Sequence, residues 1–171
     1  MTWLRGPADG ASPLERVLAL RPDLYDRYRA FVSTFWTEQL LEPVLLELAR
    51  LRAAQLLGCE SEQMIRYDVA RSAGLTEELV AALPRWPTSP MFTDAQRAVL
   101  AFTEQFVLDP HGVEHAQRDA VIDHCALPGL VALCEALAVF DGLARLRNAL
   151  ALEAPPTTTV VEAPTPAGAL W

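Results

Sequence analysis

The sequence predicts an all-α fold, and three observations predict it. Apolar residues recur every three or four positions in almost every segment, the spacing that lines one face of a helix. No stretch sustains the period-two alternation of a half-buried strand, apart from Thr157 to Val161. Proline, glycine and threonine mark several expected helix boundaries, at Pro22, Gly58, Thr76, Thr93 and Pro128.

Taken in order, Pro13 to Phe31 carries Leu14, Val17 and Leu18, then Leu24, Tyr25, Tyr28 and Phe31, with Pro22 opening the second of two short helices. From Thr34, the series Leu40, Leu41, Val44, Leu45, Leu48, Leu51 and Leu56 predicts a long buried helix that Pro43 kinks or restarts and Gly58 ends. A further helix is expected from Cys59 to a cap at Ala73-Gly74, followed by a short one from Thr76 to Leu83. The proline-dense run from Pro84 to Pro90 predicts a loop, with Thr93 capping a helix over Asp94 to Leu108. Asp109-Pro110-His111-Gly112 breaks that helix. Val113 to His124 then reads as an amphipathic helix, and Pro128 opens a long apolar one reaching Leu150.

A length of 171 residues and a mass of 18.8 kDa suit one domain, expected over residues 1–152. Residues 153–171, rich in proline and threonine, predict an extended tail whose Leu170-Trp171 end could dock on the domain or on a neighbouring subunit. The hydrophobic fraction of 51% and mean hydropathy of +0.16 predict a folded chain rather than a disordered one.

A net charge of -8, with no basic cluster, argues against nucleic acid as a partner. All fourteen basic residues are arginine, so Schiff-base and P-loop lysine chemistry are excluded. No uninterrupted apolar run reaches the ~20 residues of a membrane span, and the N-terminal stretch lacks the apolar core of a secretory signal. A cytoplasmic protein with no membrane partner is therefore expected. Cys59, Cys125 and Cys134, an odd number at unrelated spacings, predict free thiols.

Chemistry concentrates between Glu47 and Gly74. Glu47 lies among Leu45, Leu46 and Leu48, where a carboxylate needs a partner that Arg50, Arg52 or Arg66 could supply. On the expected helix, Cys59, Glu62 and Arg66 stand at i, i+3 and i+7 and share one face. Glu62 and Arg66 alone have the spacing of an ordinary helical ion pair, and Cys59 alone suits a small buried hydrophobe. His111 and His115 read as surface histidines, and Asp123-His124-Cys125 fits no recurrent zinc spacing, so neither metal nor cofactor is predicted. Trp86 and Phe92 either wall a pocket or pin the proline loop to the core.

Glu47, followed after eleven residues by Cys59, Glu62 and Arg66, resembles the alkylhydroperoxidase D-like branch of the carboxymuconolactone decarboxylase superfamily. That branch carries a glutamate, eleven residues, then C-x-x-C-x-x-x-H. Glu47 matches the glutamate and Cys59 the first cysteine, while Glu62 replaces the second cysteine and Arg66 the histidine. The resemblance continues through Ala70 to Thr76, Trp86, Phe92-Thr93 and Arg97 to Glu104, covering about residues 35–150.

The resemblance implies seven or eight helices around a central antiparallel bundle, and assembly into homo-oligomers. For function it leaves three readings open. Cys59 alone could reduce a hydroperoxide, with Glu47 and Arg66 polarising the site. The site could be redox-inactive and bind a small ligand. Glu47, Glu62 and Arg66 could also run thiol-independent acid–base chemistry on a carboxylated substrate, as decarboxylase members do.

Overall fold

The computed structural model describes residues 12–38 and 40–165. Eight α-helices and one pair of three-residue strands are present among them, and the fold is all-α. The order is α1 (Pro13–Leu18), α2 (Pro22–Thr37), α3 (Pro43–Leu56), α4 (Glu60–Gln63), β1 (Ile65–Tyr67), α5 (Asp68–Ser72), α6 (Glu77–Ala82), α7 (Asp94–Leu108), α8 (His115–Ala149) and β2 (Thr159–Val161). Leu170 and Trp171 lie outside the described residues.

Helix α3 is the centre of the molecule because almost every side of it is apolar, which leaves no face for water. Leu45, Leu46, Ala49 and Ala53 join Trp36 of α2, Phe102 of α7 and Leu133, Leu137 and Phe140 of α8 in one core. Val44, Leu48 and Leu51 face a second core with Ala70, Leu79, Leu83, Trp86, Phe92 and Leu100. Trp86 and Phe92 therefore pin their loop to the core, with Trp86 Nε1 donating to Glu104 at 2.7 Å.

The predicted caps explain most boundaries. Thr93 and Gln96 form a reciprocal capping box on α7, and the Thr76 side chain accepts from Leu79 N on α6. Pro43 restarts the expected long helix rather than kinking it: α2 runs on to Thr37, and the Glu42 carboxylate then caps α3 by accepting from Val44 N and Leu45 N.

One expectation is corrected. The single helix from Cys59 to Gly74 is instead one turn of helix, a strand and a second short helix. The cause is non-local. Ile65, Arg66 and Tyr67 pair in parallel with Thr159, Val160 and Val161, a β-branched run that competes successfully for their backbone. The two helices expected over Val113 to Leu150 are both present and meet within the range given as α8 at Ala126, whose φ of 58° and ψ of 173° are not helical. By length and composition α8 is also apolar enough to cross a membrane, with a mean hydropathy of 1.7 over its richest stretch, even though Glu135 interrupts its run of apolar residues. Of that stretch, 44% is buried inside the domain.

Candidate functional site

The C-terminus of α3 sets the position of Cys59. Gly58, at φ 61°, takes the left-handed conformation that ends the helix; Cys59 N then donates to Ala54 O at 2.9 Å and Gly58 N to Gln55 O at 3.2 Å. The residue after such a turn commonly makes an apolar contact with the last turn of the helix. Cys59 does so, buried with Ala54 and Ala144. It is 1% exposed. Burial raises its thiol pKa, as does the Glu62 carboxylate; a hydrogen bond from the Glu62 backbone and the charges of Arg147 and Arg50 work in the other direction. The net direction is upward, away from a reactive thiolate.

The C-terminus of α8 ends in the same kind of turn and meets that of α3. Leu152 N donates to Arg147 O at 2.9 Å, with Ala151 left-handed at φ 49°. Asn148 Nδ2 donates to Leu57 O at 2.9 Å, and Ser61 Oγ to Leu152 O at 3.2 Å. A polar hollow of about 310 Å³ lies over this junction, lined by Gly58, Glu60, Ser61 and Arg147 among others.

Beneath it runs a chain of four buried charges. Arg50 forks onto Glu47, with Nε to Oε2 and Nη2 to Oε1 both at 2.8 Å. Its Nη1 donates to Glu62 Oε2 at 2.6 Å and to Glu62 O at 3.0 Å, and its Nη2 also donates to Ile65 O at 2.7 Å. The second Glu62 oxygen lies 2.5 Å from Arg147 Nε. Glu47 Oε1 accepts a further bond from Tyr67 N at 3.1 Å, and the Tyr67 ring lies under the Arg50 guanidinium at 5.1 Å.

None of the four side chains is more than 6% exposed. The series Glu47, Arg50, Glu62, Arg147 alternates in sign and sums to zero, the condition under which charges can be held away from water. Burial works against the charge on Arg50, but the flanking Glu47 and Glu62 carboxylates more than offset it and hold the guanidinium protonated. Burial raises the Tyr67 phenol pKa, with Arg50 acting in the opposite direction.

The sequence-predicted residues are thus only partly brought together. Glu47, Glu62 and Cys59 converge around the junction of α3, α4 and α8. Arg66 does not join them, because it sits on β1 rather than on a helix with Cys59 and Glu62. Its Nη1 donates to Gln63 O at 2.7 Å and Ile65 O at 2.8 Å, and its Nε pairs with Glu77 at 3.3 Å. The helical Glu62–Arg66 ion pair is absent for the same reason. Of the three arginines offered as partners for Glu47, Arg50 takes the role, while Arg52 pairs with Glu104 and Arg66 with Glu77.

Sequence reasoning did not single out Arg147 or Tyr28. The Tyr28 phenol pKa is raised by burial and by the Glu62 carboxylate, and lowered by Arg147, so it lies within electrostatic reach of the chain of charges. An arginine set between Leu146 and the buried turn at Leu152 was the available signal for Arg147. His111 and His115 are exposed, the first in a turn and the second opening α8.

Comparison with known proteins adds three findings. A model of the carboxymuconolactone decarboxylase family matches residues 22–105. The uncharacterized protein YnjA of Escherichia coli is 30% identical over 129 residues, covering 72% of this chain and 70% of that protein. The crystal structure of ATU0492 from Agrobacterium tumefaciens superposes with a TM-score of 0.71 at 19% identity, over 81% of this chain and 95% of that one. ATU0492 is a protein of unknown function, named as a candidate antioxidant defence protein AhpD.

Proposed function

Because the chain belongs to the carboxymuconolactone decarboxylase family and has an AhpD-like fold, yet holds a carboxylate where a dithiol centre would stand, we propose that it is a redox-silent member that binds a small molecule. The observation that carries this reading is Glu62. At the position of the second motif cysteine, its two oxygens are taken by Arg50 at 2.6 Å and Arg147 at 2.5 Å.

A dithiol peroxidase needs an exposed thiolate and a second thiol to resolve the sulfenic acid. Here the thiol of Cys59 is buried and its pKa is raised. Cys125 and Cys134 lie on α8 and pack against the other core. Acid–base work by Glu47 or Glu62 would first require breaking a buried ion pair, and Arg66, the third group of that reading, is engaged with Glu77.

The test is peroxide consumption in the presence of excess dithiothreitol, run beside alkylation of Cys59 in a Cys125→Ser/Cys134→Ser background. The expected result is no peroxide loss above buffer, with labelling of Cys59 only after denaturation. Peroxide loss that disappears on Cys59→Ser would overturn the reading and restore the one-cysteine peroxidase.

The same proposal takes the protein as a homo-oligomer. Leu40, Leu127 and Val131 are 46%, 59% and 51% exposed near the bend in α8, where Gly129 packs against Leu41. Apolar side chains gathered at one place mark contacts between copies. Light scattering coupled to size exclusion should give more than one chain per particle, and Val131→Glu should shift it toward the monomer.

A further inference from the structure

A second cavity lies on the other side of the bundle, between α1, α2 and α8, and it is larger and far more apolar than the hollow over the junction. It is an open groove of about 940 Å³, walled by Leu24, Phe31, Leu143 and Leu146. Small-molecule sites typically occupy ~300 to 1,000 Å³. Leu24 and Phe31 are 52% and 44% exposed, so this apolar wall is not covered by the described residues.

Two polar side chains of the lining have no hydrogen-bond or ion-pair partner among the described residues. Tyr28, half-buried, lines the groove, and its hydroxyl makes no hydrogen bond among the described residues. The Arg27 guanidinium, exposed at its edge, has no ion-pair partner among them. Arg21 adds a second positive charge, tied to Asp23 at 2.9 Å, and Glu135 is the one acidic side chain in the lining. On a chain of net charge -8, the two arginines offset Asp23 and Glu135, so the groove is less negative than the whole.

We infer that this groove binds a single-chain amphiphile with a carboxylate head, its hydrocarbon tail along Leu24, Phe31, Leu143 and Leu146 and its head on Arg27 and Tyr28. A carboxylate accepts hydrogen bonds and donates none, which answers a guanidinium and a phenol together. A cationic head would be repelled by Arg27, and a neutral one would leave it unanswered. The inference rests on the reading of the protein as a ligand binder, and it names where and what it binds.

The experiment is calorimetric titration of the full chain with dodecanoate, dodecanol and dodecyltrimethylammonium, each kept below micelle formation. Dodecanoate should bind about tenfold more tightly than the ammonium compound, a difference of ~1.4 kcal/mol. Arg27→Gln should weaken dodecanoate about fivefold, the size of an exposed charge pair, and leave dodecanol unchanged.

Gly142 supplies a second variant that does not threaten the fold. A Cβ added there meets nothing within 4 Å, so Gly142→Phe projects into the groove without a backbone clash and should abolish binding. Equal binding of anion and cation, binding that survives Gly142→Phe, or no binding at all would overturn the inference. No binding together with a Gly142→Phe protein that loses its oligomeric state would overturn it in favour of a second copy in the groove. Peroxide consumption by Cys59 would instead remove the redox-silent reading and leave a positive dodecanoate titration standing.

Discussion

Arg50 and Glu62 meet twice: Nη1 of the arginine donates at 2.6 Å to the carboxylate and at 3.0 Å to the backbone carbonyl of the same glutamate. One side chain of α3 therefore fixes both the rotamer and the main chain of the short helix that follows Cys59. The arrangement makes Arg50 the organiser of the region in which the dithiol motif of related proteins would lie.

Removing Arg50 should be the most damaging single change in this region. Arg50→Met leaves Glu47 buried without a cation and Glu62 with Arg147 alone, and loss of one partner of a buried pair costs ~3 to 5 kcal/mol. Arg50→Lys should recover little, since a point charge cannot reproduce the fork onto Glu47 together with the bonds to Glu62 and Ile65. Arg66→Ala should cost only ~1 to 2 kcal/mol, because its partner Glu77 is half exposed and what is lost is mainly two bonds to carbonyl groups. Urea unfolding of the three variants checks the ranking. Equal losses for Arg50→Met and Arg66→Ala would contradict it.

Much of this was readable in the sequence wherever the cause is local. The caps at Thr76 and Thr93, the restart at Pro43 and the stops at Gly58 and Gly74 depend on residues within a turn of one another. The need of Glu47 for a cation was readable from its leucine neighbours, and Arg50 at i+3 was among the choices. The strand at Ile65 to Tyr67 was not readable, because what holds it is Thr159 to Val161, from the far end of the chain. Once that strand forms, the helical spacing that united Cys59, Glu62 and Arg66 no longer applies. Arg147 was hidden for a related reason: near the end of a helix an arginine ordinarily serves the helix dipole, and only the packing of α8 on α4 turns it onto Glu62.

The buried thiol should make stability fall on the alkaline side. The folded-state pKa of Cys59 is raised above that of the unfolded chain, so the native state keeps a proton that the unfolded state gives up. That contribution is fully present below about pH 8.5, where an unfolded thiol is still protonated, and is lost as pH rises through the folded-state value. Tyr28 and Tyr67, also raised, should extend the decline from about pH 10 upward. In a Cys125→Ser/Cys134→Ser background, the urea midpoint should be level from pH 7 to 8 and then drop. Cys59→Ala should remove the first part of the drop and leave the tyrosine part. A midpoint that rises between pH 8 and 10 would show the thiol to be stabilised as thiolate.

Gly129 offers a test of packing at the bend in α8. A Cβ at this position would come 2.7 Å from Cys125 Cβ, closer than side chains pack, with Leu41 at 3.5 Å behind it. Gly129→Ala should therefore cost ~1 to 3 kcal/mol despite the better helix propensity of alanine. Pairing it with Cys125→Gly should recover part of that loss. Thermal melts of the single and double variants measure the coupling, and independent effects would place the strain elsewhere.

The turns that close α3 and α8 are alike in their hydrogen bonding but have different residues at the left-handed position. Gly58 occupies it after α3 at φ 61°, and Ala151 after α8 at φ 49°. A side chain in this conformation costs ~1 to 2 kcal/mol through contact of Cβ with its own backbone. A Cβ added at Gly58 would meet nothing within 4 Å, so Gly58→Ala tests the backbone cost without a packing clash. The two exchanges should consequently have opposite signs: Gly58→Ala lowers stability by about 1 kcal/mol, and Ala151→Gly raises it by a similar amount. The second should also tighten the end of α8, where Arg147 and the buried Leu152 anchor the junction over Cys59. Chemical denaturation of both variants measures the signs, and hydrogen exchange at Leu152 N, which donates to Arg147 O, reports the local effect. Slower exchange there in Ala151→Gly, with unchanged exchange at Cys59 N, would locate the gain at the α8 turn; a loss of stability would mean that Ala151 is held in place by contacts that outweigh its backbone strain.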